Sequence, residues 1–171
     1  MRADGTRKRN GASPRAGPLL RLSIEADACA IRHALAAVVS ALGPLRLSPE
    51  CTGDIELVLA EVLNNIQRHA YGGKPGPIEL DLAVAEGSLV CTVVDCGTPM
   101  PGGDLPAGRA VALDVRPDAL PEGGFGWFLI RSHARSLVYH REAGRNRLIL
   151  HLPMMVGERA GSVGMIRARR R

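Results

Sequence analysis

Residues 57–71 read LVLAEVLNNIQRHAY, an apolar helical pattern that is interrupted by the polar side chains of Glu61, Asn64, Asn65 and His69. Glu61 and Asn65 are four positions apart, so on a helix they lie within about 40° of each other and share one stripe of the surface. Burying a carboxylate and a carboxamide without partners costs roughly a few kcal/mol each. The stripe is therefore expected to face water, a buried polar network, or a ligand with its metal.

The composition predicts a single domain with an aliphatic core. The chain has 171 residues, of which 46% are hydrophobic and only 3% aromatic, and this length suits one core of ordinary size. So few aromatic side chains argue against a surface that stacks nucleic-acid bases. The four cysteines show no metal-binding spacing, so we expect reduced thiols in or near the core.

The net charge of +5 is concentrated at the two ends of the chain. Residues 1–18 and residues 157–171 each carry five basic side chains and one acidic side chain, which leaves residues 19–156 with a net negative charge. We therefore predict two basic, disordered tails around one domain at 19–156, with tails that bind nucleic acid or acidic lipid as the alternative. The absence of an apolar leader and of any long apolar run predicts a cytoplasmic protein without membrane or direct nucleic-acid contacts.

Local patterns predict the element order strand, helix, helix, two strands, lid, helix, two strands. The predicted strands are 19–24, 78–85, 88–94, 136–141 and 147–152, with a turn at 142–146, and the predicted helices are 27–42, 48–71 and 127–134. The lid, at about 98–122, is rich in Pro, Gly and Ala and is too long for an ordinary connection. This order predicts an α+β fold, a two-layer sandwich in which a mostly antiparallel mixed sheet carries the helices on one face.

Two further motifs point to a nucleotide. Asp95-Cys96-Gly97 follows a predicted strand, and a carboxylate there can accept a hydrogen bond from an exocyclic amine such as that of adenine. Residues 123–126 read GGFG before a predicted helix, where backbone N–H groups can approach phosphate oxygens. Each motif is equally compatible with an ordinary turn, and the sequence has neither a P-loop nor a dinucleotide-binding fingerprint.

In chain order, the E-x-x-x-N helix, the D-x-G strand end, the lid and the G-G-x-G helix resemble the GHKL (histidine kinase-like) ATP-binding superfamily. The segments AEVLNNIQRHAY, VVDCGTPMP and GGFGWFLIRS are most similar to the anti-sigma factor serine/threonine kinases of partner-switching systems, over residues 19–153. The resemblance implies the GHKL fold, ATP and Mg²⁺ as cofactors, and transfer of phosphate to a protein serine or threonine. It also implies three partners: an anti-sigma factor antagonist of the STAS type, a sigma factor that the kinase sequesters, and a second copy in a homodimer.

The resemblance also assigns roles to individual residues. Glu61 is implied as the catalytic base, Asn65 as the Mg²⁺ ligand, and Asp95 as the partner of adenine, with Gly97 behind the ring. The implied nucleotide-binding set is Asn64, Asn65, Asp95, Gly97, Gly124, Phe125, Gly126 and Trp127.

Two departures from the family pattern leave an alternative open. Thr98-Pro99-Met100-Pro101 stands where the first glycine box often has a second glycine, and the cation for the γ-phosphate is unassigned among Arg109, Arg116 and Arg131. The alternative is an ATP-binding regulatory module that captures a protein partner without phosphoryl transfer. A histidine kinase is disfavoured, since no helical phosphoacceptor domain fits before residue 19.

Overall fold

Five strands and three helices make up the part of the chain described by the structure, a computed structural model that covers residues 17–108 and 125–157. The strands are β1 (Pro18–Glu25), β2 (Pro77–Ala85), β3 (Ser88–Asp95), β4 (Ser136–Glu142) and β5 (Arg145–Pro153). The helices are α1 (Ala28–Leu42), α2 (Pro49–Asn65) and α3 (Phe125–His133). The element order predicted from the sequence is confirmed for these residues.

The five strands form one sheet in the order β1-β2-β3-β5-β4, and every neighbouring pair is antiparallel. The predicted α+β class is confirmed, but the sheet is not mixed, because β5 returns antiparallel between β3 and β4. Hairpins with two-residue turns set the direction of two of these pairs, β2 with β3 and β4 with β5. Glu86-Gly87 and Ala143-Gly144 all have positive φ, as a type I′ turn requires.

The core lies between the helices and one face of the sheet. Alternate residues of the central strands are buried, such as Leu80 and Leu82 on β2 and Leu148 and Leu150 on β5, as expected for a sheet covered on one side. On α2, the apolar side chains of Leu59, Val62 and Ile66 are all buried.

Both long helices begin at the residues that the sequence indicates. Asp27 Oδ1 accepts hydrogen bonds from the backbone N–H groups of Cys29 (2.8 Å) and Ala30 (2.9 Å) at the start of α1. Ser48 Oγ accepts one from Cys51 N (3.1 Å), and Pro49 is the first residue of α2, where its missing N–H costs nothing.

The end of α2 differs from the continuous helix predicted to residue 71. After Asn65 the backbone widens into a π-helical turn, Ile66–Ala70, closed by a bond from Tyr71 N to Ile66 O (3.0 Å). The Ala70 carbonyl is then available to accept a hydrogen bond from Thr98 N (2.8 Å). The π turn thus ties the end of α2 to the loop after β3, in keeping with the frequent occurrence of such turns at functional sites.

One helical segment among the described residues, Ala28–Leu45, would be long and apolar enough to cross a membrane. Core helices of soluble proteins have the same features. Here Ile31, Ala34, Val38 and Leu42 are buried, and α1 packs against α2 and β1. We therefore assign this segment to the core of the domain.

Two expectations from the sequence need correction. The cysteines are all free, but only Cys51 and Cys91 are buried, whereas Cys29 lies on the outer side of the first turn of α1 and Cys96 in the loop after β3. The first strand begins at Pro18, inside the predicted tail. The remainder of the tails (1–16 and 158–171) and lid residues 109–122 lie outside the described residues.

Candidate functional site

A cavity of about 490 Å³ lies between α2, the loop after β3, α3 and β5. This volume falls in the range of small-molecule sites. Its polar lining includes Asn65, His69, Asp95 and Asn146. Its apolar walls come mainly from Val62, Ile66, Met100, Pro106, Trp127 and Leu148.

Asp95 forms the polar end of this cavity. It is the last residue of β3 and is only 6% exposed. Its Oδ1 atom accepts hydrogen bonds from Gly97 N (2.9 Å) and from Asn146 Nδ2 (2.7 Å). Neither bond uses Oδ2, and Asp95 is one of the residues that line the cavity.

Gly97 is required by the packing of the loop after β3. A Cβ at this position would lie 2.6 Å from Ala70 O and 2.7 Å from Ala70 C, far closer than a real Cβ can approach. The sequence predicted this glycine for a different reason, the approach of a ligand ring to the backbone. That role stays a prediction.

Glu61 and Asn65 meet the second glycine motif at α3, which packs against α2. A Cβ on Gly126 would lie 2.5 Å from Glu61 Oε2 and 3.7 Å from Asn65 Nδ2, so the backbone of α3 lies directly over both side chains. Asn65 Nδ2 is buried and has no hydrogen-bond partner among the described residues. The structure therefore brings the polar stripe of α2 and the glycine motif together, and Asn65 and Asp95 line one cavity.

These residues fit a nucleotide phosphate with Mg²⁺. A half rotation of the Asn65 carboxamide exchanges its nitrogen and oxygen, and amide oxygen is one of the hard ligands that Mg²⁺ accepts beside phosphates and waters. Within 17–108 and 125–157, no group of three His, Cys, Asp or Glu side chains could hold a metal ion by itself. A Mg²⁺ at Asn65 would thus depend on phosphate and water oxygens for its remaining ligands.

The sequence of residues 24–152 matches the model of the histidine kinase-like ATPase domain family. The chain belongs to this family. Membership implies that the domain binds ATP, and the family model spans α2, Asp95 and α3 alike. No curated protein matches the sequence significantly.

Two solved structures show the same ATPase-domain fold at low sequence identity. A structure of the RsbU and RsbW domains of Rv1364c from Mycobacterium tuberculosis has a TM-score of 0.55 and 17% identity, and the match covers 81% of this chain and 32% of that chain. A SiaB–SiaC complex from Pseudomonas aeruginosa has a TM-score of 0.55 and 18% identity, with 79% of this chain and 89% of that chain covered. This chain thus spans about a third of the first protein.

Of the other residues expected in the ATP site, one lines the cavity and the rest do not or lie outside the described residues. Trp127 lines the cavity. Asn64 is partly buried on α2 but is not among the lining residues, and Phe125 is 51% exposed, with its ring centroid 5.7 Å from that of Phe128. Gly124 lies outside the described residues.

Arg131, one of the three candidate cations for the γ-phosphate, is engaged elsewhere. Its Nε donates to Pro106 O (2.7 Å) and its Nη2 to Leu105 O (3.3 Å), which fastens the described part of the lid to α3. Arg109 and Arg116 lie outside the described residues. Among the described residues that line the cavity, only His69 can carry a positive charge.

Tyr71, which follows the π turn, has a structural role. Its hydroxyl donates to Pro77 O (2.6 Å) and accepts from Cys96 N (3.0 Å), so it joins the π turn to the starts of β2 and of the loop after β3. Burial raises the pKa of the Tyr71 hydroxyl, and the hydrogen bond from Cys96 N partly opposes this rise.

Sequence reasoning missed Asn146 and Tyr139 at the cavity. Asn146 was expected in the turn at 142–146, but β5 already begins at Arg145, which places Asn146 opposite Asp95 in the sheet. The alternation of inward-facing and outward-facing residues along β5 could have indicated that Asn146 faces inward. An inward pattern of Leu148, Leu150 and Leu152 extends by two positions to Asn146.

Proposed function

We propose that this ATPase domain is a serine/threonine protein kinase that acts as an anti-sigma factor. It phosphorylates a STAS-type antagonist and, in the alternative state of the switch, sequesters a sigma factor. The observation that carries the proposal is the placement of Gly126 over Glu61 and Asn65. It brings a carboxylate, an amide with an unmet hydrogen bond and a helix start to one place, as phosphoryl transfer to a hydroxyl requires.

Each residue then has a defined task. Asp95 Oδ2 accepts from the 6-amino group of adenine, and the apolar wall at Met100, Trp127 and Leu148 encloses the base. Asn65 would hold Mg²⁺, which when bound would supply positive charge to balance that of the phosphates. Glu61 takes the proton of the attacking hydroxyl, a task that depends first on geometry.

The similar solved structures support the choice among ATPase chemistries. One contains an RsbW domain and the other contains SiaB bound to a second protein, SiaC. The motif similarity to anti-sigma kinases and this pairing with a protein partner favour a protein substrate over a small one.

The test is phosphate transfer from radiolabelled ATP, with Mg²⁺, to a purified antagonist. We expect labelled antagonist with the parent and a loss of about 10²-fold or more with Glu61→Gln. The matched control is Glu56→Gln, an exposed glutamate on the same helix, which should transfer at the parent rate. Undiminished transfer by Glu61→Gln would overturn the role of Glu61, and absence of transfer by the parent would overturn the kinase.

A binding module without phosphoryl transfer is the second candidate. It is favoured by the engagement of Arg131 with lid carbonyls, which leaves no arginine at the cavity among the described residues. This module predicts that Mg·ATP raises the melting temperature and that the partner is captured, with no labelled product. Both candidates require ATP at Asp95, so Asp95→Asn should abolish the rise in melting temperature, whereas Asp81→Asn, in an exposed ion pair with Arg21, should retain it.

A further inference from the structure

We infer that Asn146 is a positioning residue that makes the ATP site selective for 6-aminopurines over 6-oxopurines. The inference rests on the proposed contact between Asp95 and the base and deepens it. Asn146 is 4% exposed and lies directly opposite Asp95 in the pairing of β3 with β5.

The orientation of the Asn146 carboxamide is fixed by two donors. Its Oδ1 accepts hydrogen bonds from Tyr139 OH (2.8 Å) and from Arg141 Nη1 (2.6 Å). A reversed amide would place an N–H group against both donors, so Nδ2 must face Asp95. Nδ2 then donates to Asp95 Oδ1 (2.7 Å) and also lies 3.3 Å from the carbonyl oxygens of Gly97 and Thr98.

This arrangement determines what Asp95 can recognise. Asn146 Nδ2 and Gly97 N both donate to Oδ1, so the carboxylate is fixed in orientation and Oδ2 remains as the acceptor for a base. A base edge with an amino group satisfies this atom. A base with a carbonyl at the same place sets two acceptors against each other, as in guanine or hypoxanthine.

The same network holds the rim of the cavity. Tyr139 OH accepts from Met100 N (3.1 Å), and Arg141 Nη1 also donates to Gly97 O (2.9 Å). The β4–β5 hairpin thus holds both the carboxylate and the loop that encloses the base. Loss of Asn146 should free the carboxylate without removing the walls of the cavity.

A double-mutant cycle between Asn146 and the 6-amino group tests the inference. Affinities are measured for ATP and for purine riboside triphosphate, which lacks that amino group. In the parent, the amino group should strengthen binding roughly tenfold or more, the usual effect of a hydrogen bond to a buried carboxylate. In Asn146→Val, the ratio of the affinity for ATP to the affinity for purine riboside triphosphate should fall to within about threefold of one. Asn146→Thr has nearly the shape of the valine variant but keeps a hydroxyl donor, so it should show a larger ratio than the valine variant.

The controls separate this inference from the proposed function. Arg147→Gln alters the neighbouring residue, which is exposed on β5, and should keep the parent ratio. A purely structural role for Asn146 would weaken both nucleotides equally and leave the ratio unchanged, which would overturn the inference. If Asn146→Val does not fold, the same question is decided with Asn146→Thr, by comparing its affinities for ATP and inosine triphosphate with those of the parent. Failure of the parent to bind ATP would instead overturn the proposed function.

Discussion

Gly126→Ala should separate stability from catalysis. The added Cβ would lie 2.5 Å from Glu61 Oε2, whereas ordinary contacts of this kind begin at 3.4 Å, so the carboxylate oxygen must retreat by about 0.9 Å. A misplacement of about 1 Å can lower a rate by roughly 10²-fold, so we expect phosphate transfer to fall between about tenfold and 100-fold. Asn65 Nδ2 would be 3.7 Å away, an ordinary contact, so ATP should still raise the melting temperature.

The stability of the variant should change little. A glutamate side chain pushed about 30° off its rotamer costs about 0.5–1.5 kcal/mol, and alanine in place of a helical glycine adds up to about 1 kcal/mol of stability. Urea unfolding and phosphate transfer at saturating ATP measure the two effects. Gly53→Ala is the matched control, because this glycine on α2 has open space around it; it should gain stability and transfer at the parent rate. Full transfer by Gly126→Ala, or its global unfolding, would contradict the placement of Gly126 over a movable carboxylate.

Two further predictions concern stability. Gly97→Ala would press a Cβ to 2.6 Å from Ala70 O, a rigid backbone atom, and should lower the free energy of unfolding in urea by about 1–3 kcal/mol; parent-like stability would refute this packing. Burial raises the pKa of the Cys91 thiol from 9.0 to about 12, so its contribution to stability should be complete below pH 9 and lost as the pH rises from about 9 to about 12, because the unfolded chain ionises first. Unfolding free energies between pH 8 and 10 should therefore fall less steeply for Cys91→Ala than for the parent, by up to about 1.4 kcal/mol per pH unit, and parallel curves would contradict the assignment.

Local rules accounted for most of what the sequence predicted correctly. Asp27 and Ser48 cap their helices because their oxygens reach the first free N–H groups, and the buried stripe of α2 follows from its 3.6-residue period. The family resemblance, not any local pattern, implied that Glu61 and the glycine motif belong to one nucleotide site. The structure places Gly126 over Glu61, while the chemistry of the pair stays a prediction.

What the sequence did not reveal depends on distant pairing. No local signal states that β5 inserts between β3 and β4, and so the position of Asn146 opposite Asp95 could not be read from either strand alone. The π turn at Ile66–Ala70 was missed for a similar reason. The Ala70 carbonyl at the end of this turn accepts from Thr98 N, which belongs to a loop that lies two strands later in the chain.

The pairing of β3 with β5 has a consequence for the length of the connection between them. Its closing contact joins Asp95 to Asn146, which are 51 positions apart, and we expect such a non-local pairing to form more slowly than the two hairpins. The entropy of closing a long loop, however, grows by only about 0.6 kcal/mol for each doubling of its length. A change in the length of the lid alone, which leaves α3 and β4 intact, should therefore cost the domain little stability.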